Sequence, residues 1–243
     1  MSGTRVAEVA DGIFQLTTHI EDIDFGVNQY LVLGEEPLLF HAGMRWLFPQ
    51  LADAVAGVVP VETLRWVAFG HIESDECGAM NQWLAAAPRS TVVQGQVGCM
   101  VSIGDLADRE PRPLAHGELL DIGGHRLRWL DTPHVPHAWE AGLLYDETTR
   151  TLFCGDLFSQ VGPYASTTAD DIVESVVADD DEMRSVSLSP TSGRVVRELA
   201  SLDIDTLALM HGPAFTGDCR QALLALGDDF DRRVAAVLGP DSY

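Results

Sequence analysis

The chain predicts an α/β protein in which two sheets pack between helices, an αββα sandwich. Two observations carry that reading. Short apolar strands alternate with amphipathic helices along 243 residues, and the sequence falls into two halves, each opening with strands and closing with helix. A third observation gives the fold a purpose: clusters of histidine and acid stand where several predicted strands end.

Taken in order, "VAEVADGIFQLTT" and "VNQYLVLGEEPLLFHAGM" alternate apolar and polar residues around turn signals at Asp11-Gly12 and Gly34 to Pro37, the pattern of hairpin strands. "WLFPQLADAVAGVV" carries apolar residues at helical spacing. "LRWVAFG" reads as a buried strand, "CGAMNQWLAAAP" as a helix ended by Pro88, and "STVVQG" as a strand. "PLAHGELLDIGGHRLRWLDTPH" predicts two strands turned at Gly123-Gly124, and "GLLYDETTRTLFCGDLF" a second hairpin turned around "DETTR". From "SQVGPYASTTADD" the chain turns acidic and loop-rich, and the run "ADDDE" at 178–182 predicts a solvated loop. A helix at "TSGRVVRELASL", a strand at "DTLALM" and a helix at "DCRQALLALGDDFDRRVAAVL" close the sequence. No repeat, long linker or low-complexity tract divides it, so 1–243 is read as one domain.

Composition excludes several functions. A formal charge of −22 repels nucleic acid phosphates and anionic lipid and suits divalent cations. The four cysteines, Cys77, Cys99, Cys154 and Cys219, form no C-x-x-C pair, which argues against a zinc ribbon, an iron–sulfur motif or a redox dithiol; they read as buried apolar groups. Every basic residue is arginine, which removes Schiff-base lysines and the P-loop lysine. Neither an export signal nor an apolar run of about 18 residues is present. The expected location is the cytoplasm.

The polar clusters are His71-x-Glu73-x-Asp75 in "FGHIESDECG", His134 and His137 in "TPHVPHAWE", Asp156 in "FCGDLF" and His211 in "ALMHGP". Any one alone reads as turn or capping chemistry. Together they offer three histidines and three carboxylates, enough for two metals with one carboxylate between them.

The spacings 137−71 = 66, 156−137 = 19 and 211−156 = 55, headed by "HIESD", resemble the metallo-β-lactamase fold, and within it the flavodiiron, oxygen-binding di-iron branch. The likeness runs over almost the whole chain, including the "FGVNQYLVLGEEPLLFHAG" hairpin. Its specific part is H-x-E-x-D, since zinc hydrolases of this fold usually show H-x-H-x-D-H. A carboxylate at Glu73 makes the site harder and more anionic, which favours two iron ions over zinc, with manganese as a further option. The resemblance implies His71, Glu73 and His137 on a first metal, Asp75 and His211 on a second, and Asp156 bridging. His137 is preferred to His134 because the family's histidine is followed three residues later by an acid, here Glu140; His134 is the reserve ligand, or else a residue that hydrogen-bonds a ligand or lines the pocket.

The sequence departs from the family pattern at three places. Glu76 stands where a histidine normally follows the aspartate, so the second metal lacks an imidazole or gains a carboxylate, or the residue serves as a proton shuttle. His41 replaces the aspartate of the family's "DTG"-like turn, and either braces the site or is an ordinary turn residue. No flavodoxin-like segment follows, so no bound flavin is expected. Outside the motifs, His116 and His125 read as exposed, His19 sits in a loop that can overhang the site, and Trp139 and Phe158 read as core.

Two ferrous ions roughly 3.5–4 Å apart hold dioxygen and deliver one electron each. The resemblance therefore implies a di-iron oxidoreductase that binds or reduces dioxygen or nitric oxide, with a separate rubredoxin- or flavoprotein-type donor. The competing reading is a metallo-hydrolase of an ester, thioester, lactone or phosphodiester, its attacking hydroxide made by the paired metals. A sensing domain is a third option, disfavoured because no signalling domain is attached. A homodimer in which each chain covers its neighbour's pocket is compatible with the sequence.

Overall fold

The computed structural model describes residues 3–238. Met1 and Ser2, part of the stretch read as lacking an export signal, and the end of the chain at Tyr243 lie outside the described residues.

One seven-stranded sheet runs β1 (Arg5–Ala10), β2 (Ile13–Ile20), β3 (Phe25–Val32), β4 (Leu38–Phe40), β5 (Trp66–Ala68), β6 (Thr91–Gly95), β7 (Arg112–Leu114) in spatial order. Its first four strands are antiparallel neighbours; β4 to β7 are parallel. The helices α1 (Phe48–Ala56), α2 (Ser74–Cys77), α3 (Met80–Ala86), α4 (Gln96–Gly98) and α5 (Gly104–Leu106) fall within this half. The second sheet contains β8 (Leu119–Asp121), β9 (Arg126–Asp131), β10 (Gly142–Asp146), β11 (Thr151–Phe153), β12 (Thr167–Thr168), β13 (Thr206–Ala208) and β14 (Ala214–Phe215). Their spatial order is β12-β14-β13-β11-β10-β9-β8. With them come α6 (Val173–Met183), α7 (Ser192–Leu199) and α8 (Cys219–Leu238).

The pleat explains why central strands are apolar without alternation. In β4, Leu38 and Phe40 face the other sheet while Leu39 faces the helices; in β5, Trp66 and Ala68 face inward and Val67 outward. Leu144, Phe153 and Ala208 complete the inter-sheet core from the second sheet, while Leu143, Leu152 and Leu207 meet its helices. Both faces are buried, as a sheet covered on both sides requires. Helix α8 packs through Cys219, Ala222, Leu223, Leu226, Phe230 and Val234, a stripe at helical spacing. The four-layer sandwich read from the sequence is therefore observed. Among the described residues no helix is long and apolar enough to cross a membrane.

Several local readings are corrected. The run 178–182 lies wholly within α6, not in a solvated loop, and Asp180 is buried against Arg233. His125 is buried, with Nδ1 2.7 Å from Asp146 Oδ2; the hairpin partner supplies the acceptor that makes this burial tolerable. Trp139 is 56% exposed rather than core, whereas Phe158 is buried as expected. The helical segments over 96–106 and strands β7, β12 and β14 carry too few residues of one period to be read in advance. All four cysteines are free and buried.

Candidate metal centre

The ligand candidates leave the sheets where strands β5, β9, β11 and β13 end. After β5 the chain reaches Gly70, whose carbonyl accepts the Gly142 N–H at 2.9 Å. A Cβ on Gly70 would lie 2.8 Å from the Gly142 carbonyl, so glycine is what allows the first sheet to press against β10 here. On the opposite side Asn28 reaches from β3 across the sandwich, its Nδ2 donating to the carbonyls of Leu209 at 2.8 Å and Gly212 at 2.7 Å. Tyr30 Oη donates to the Leu209 carbonyl at 2.7 Å. These ties bring His211 over to His71.

Six side chains then converge. His71 Nε2 lies 3.0 Å from Glu73 Oε2 and 2.8 Å from His137 Nε2. Glu73 Oε2 is 3.1 Å from His137 Nε2, and Asp156 Oδ2 is 3.5 Å and 3.3 Å from the two imidazoles. One ligand atom from each of these four residues lies within 4.8 Å of the others. His211 Nε2 stands 3.3 Å from Asp75 Oδ2 and 3.3 Å from Asp156 Oδ1. Asp156 thus points one oxygen at each histidine group.

Each imidazole turns its other nitrogen toward an oxygen. His71 Nδ1 is 3.2 Å from Glu76 Oε1, His137 Nδ1 is 3.0 Å from the Ser185 carbonyl, and His211 Nδ1 is 2.8 Å from the Gly26 carbonyl. An acceptor at Nδ1 places the proton there and leaves the Nε2 lone pair for a cation. The Phe25 ring covers His211 with centroids 4.2 Å apart.

Glu76 does not stand where the sequence suggested. It is fully buried beneath His71, not beside the open face: Oε2 accepts the N–H groups of Gly70 at 2.7 Å and His71 at 2.8 Å, and Oε1 is 3.4 Å from His41 Nε2. Neither a direct bond to the second metal nor proton delivery to substrate fits a carboxylate turned inward in this way. His41 is also fully buried, with Nδ1 3.2 Å from the Asn28 carbonyl. His134 is exposed and outside the convergent group, while its neighbour His137 is in it. The His137 loop is held from the other side by Glu140, whose Oε1 accepts the Ile72 N–H at 3.2 Å. His19 pairs with Asp24 at 3.1 Å. Sequence reasoning missed the carbonyls of Ser185 and Gly26, since a backbone acceptor leaves no mark in residue identity.

The electrostatics are those of a cation site. Burial disfavours charge on His71, but the carboxylates of Glu76, Glu73 and Asp156 outweigh it and push the imidazole up to about 12. His211 is likewise pushed up to about 10, by Asp156 and Asp75 against the cost of burial. Hydrogen bonds from His137 and His71 hold Glu73 well below the usual carboxylate range. Asp156 Oδ1 is buried without a hydrogen-bond partner. An orphaned carboxylate oxygen, two Nε2 atoms facing each other and a surplus of negative groups fit hard divalent ions with mixed nitrogen and oxygen ligands.

Known proteins share this arrangement of chain. The family model described as "ODP family beta lactamase" matches residues 25–212. "Putative diflavin flavoprotein A 1" of Nostoc sp. strain PCC 7120 is 28% identical over 208 residues, 79% of this chain and 35% of that protein. "Flavo-diiron protein FprA2" of Clostridium acetobutylicum is 25% identical over 208 residues, covering 82% of this chain and 50% of its own. The chain therefore spans between about a third and half of these relatives' length. Among solved structures, rubredoxin oxygen:oxidoreductase from Desulfovibrio gigas superposes with a TM-score of 0.78 over 92% of this chain and 62% of that one, at 14% identity. With its fold, its dispersed motif and three quarters of its length accounted for by one family model, this chain belongs to the ODP family of β-lactamase-fold proteins.

Proposed function

We propose that the chain holds two iron ions and works as a cytoplasmic oxidoreductase that binds or reduces dioxygen or nitric oxide, drawing electrons from a separate donor. The observation that carries this reading is the place of Glu73, whose Oε2 lies 3.0 Å from His71 Nε2 and 3.1 Å from His137 Nε2, where a zinc hydrolase of this fold would present an imidazole. In this reading His71, Glu73 and His137 hold one iron, Asp75 and His211 the other, and Asp156 lies between them. Paired ferrous ions supply one electron each to a bound diatomic molecule.

The protein's part is positioning and access. The Nδ1 acceptors fix three imidazole planes, so little reorganisation accompanies ligand binding. Glu73 is 52% exposed and His137 21%, against 3% for His71, so the open face of the site lies toward Glu73 and His137. Phe25 packs its ring on the side next to His211. Taking dioxygen to two waters consumes four electrons and four protons, more than two ferrous ions store, so an outside reductant is intrinsic to the proposal. The names of the relatives support oxidoreductase chemistry over hydrolysis.

The test is metal content and oxygen uptake of protein purified without air. Two irons per chain, a visible absorption change on admitting air, and uptake dependent on a reduced rubredoxin-type donor are the expected results. Firmly held zinc, with turnover of a chromogenic ester or phosphodiester, would replace this reading with hydrolysis.

A further inference from the structure

Of the three histidines at the metal centre, His71 takes its orientation from Glu76 and His211 from the β3 carbonyl of Gly26, both parts of the sandwich core. His137 differs. Its Nδ1 bonds the carbonyl of Ser185, in a segment that belongs to no strand or helix. The Ser187 N–H donates to the Pro136 carbonyl at 2.7 Å, so residues 185–187 lie alongside the 136–137 backbone. The Ser185 end of this segment is held by one carboxylate. Asp180 Oδ1 accepts the Ser185 N–H at 3.0 Å, the Ser185 hydroxyl at 2.8 Å and the Val186 N–H at 3.2 Å.

Behind Asp180 stands Arg233, on α8. Its Nη1 donates to Asp180 Oδ2 at 2.6 Å, its Nη2 donates to the Val177 carbonyl at 2.9 Å, and its Nε lies 2.7 Å from Asp229 Oδ2. Asp180 and Asp229 are 7% and 8% exposed. A staple between α6 and α8 would need only the guanidinium on one oxygen; it gives no reason for the other oxygen to collect three donors from residues 185 and 186. Asp156, Ser185, Asp180 and Arg233 also line one small cavity, so the ion-pair network and the metal centre share a wall.

We propose that Asp180 and Arg233 are positioning residues for His137: the buried pair sets the Ser185 carbonyl, the carbonyl sets the imidazole, and the imidazole sets how tightly the first iron is held. The inference rests on the di-iron reading above. It is absent from the sequence motif, because Arg233 lies 233−137 = 96 residues from His137 and beyond the family-matched segment 25–212.

The test uses the full chain, loaded anaerobically with ferrous ⁵⁷Fe, and compares wild type with Arg233→Met, Asp180→Asn, Ser185→Ala and Arg233→Lys by iron titration and Mössbauer spectroscopy. Arg233→Met and Asp180→Asn are expected to weaken one iron by about tenfold to a hundredfold, the range for loss of a group that orients a ligand. That iron's quadrupole doublet shifts and its partner's does not. Arg233→Lys restores part of the affinity, since it keeps the charge without the fork. Ser185→Ala, which keeps the carbonyl and the N–H, gives a smaller change in the same doublet and decides the matter if Arg233→Met does not fold. Wild-type affinity and unchanged doublets in the folded variants would reduce the network to a helix staple and overturn the proposal. A wild-type chain that takes up no iron would overturn the di-iron reading itself, and this inference with it.

Discussion

Replacing Glu76 by alanine tests whether this carboxylate supports the site from beneath or acts within it. The substitution leaves the Gly70 and His71 N–H groups without their acceptor in a fully buried position, and each such orphan costs about 1–3 kcal/mol. It also removes the carboxylate facing two imidazoles at 3.2 and 3.4 Å, and breaking a buried ion pair from one side costs about 3–5 kcal/mol. The two routes overlap, giving an expected loss of about 3–5 kcal/mol in metal-free protein. Glu76→Gln keeps the shape and an acceptor for the backbone, and should lose about 1–3 kcal/mol. Urea unfolding of metal-free wild type and both variants measures these values directly. An iron titration should show the site containing His71 weakened about tenfold to a hundredfold. If Glu76→Ala unfolds within about 1 kcal/mol of wild type, the bracing role is wrong.

Asp156→Ala should retain neither iron, because the residue points an oxygen at both histidine groups, whereas His134→Ala should keep two; elemental analysis distinguishes them, and a full complement in Asp156→Ala refutes the bridging assignment. The metal-free site holds protons on His71 and His211 at neutral pH, since their values are pushed up to about 12 and about 10, so iron binding must release protons and iron affinity must rise with pH. Calorimetry in buffers of differing ionisation enthalpy reads that release, and its absence would contradict the ligand set. Asp146 is held below the usual carboxylate range despite burial, by His125, Thr149 and the Thr148 N–H. Its folded value lies below its unfolded one, so its contribution is full above about pH 4 and is lost as pH falls through the folded value. Asp146→Asn should flatten that part of the stability profile in acid; an unchanged slope would show that the pair carries no linkage.

The layered fold was legible because both sheets are covered on both faces: strands such as "LRWVAFG" must be apolar throughout, and helices such as α8 must carry an apolar stripe, and each constraint is local. The side chains that converge were legible too, since few residue types bind metal and the fold fixes their order along the chain. Direction was not. Nothing local to "SDEC" tells whether Glu76 turns toward the metal or beneath His71; that was decided by the Gly70 and His71 N–H groups and by His41, which arrives from another strand. His125 and Asp180 look like surface residues in sequence because the partners that make their burial tolerable, Asp146 and Arg233, are 21 and 53 positions away. Residue type determined which groups can bind or carry charge; only the packed chain determined which of them met a partner, because burying a polar group is tolerated only where another segment supplies the matching donor or acceptor.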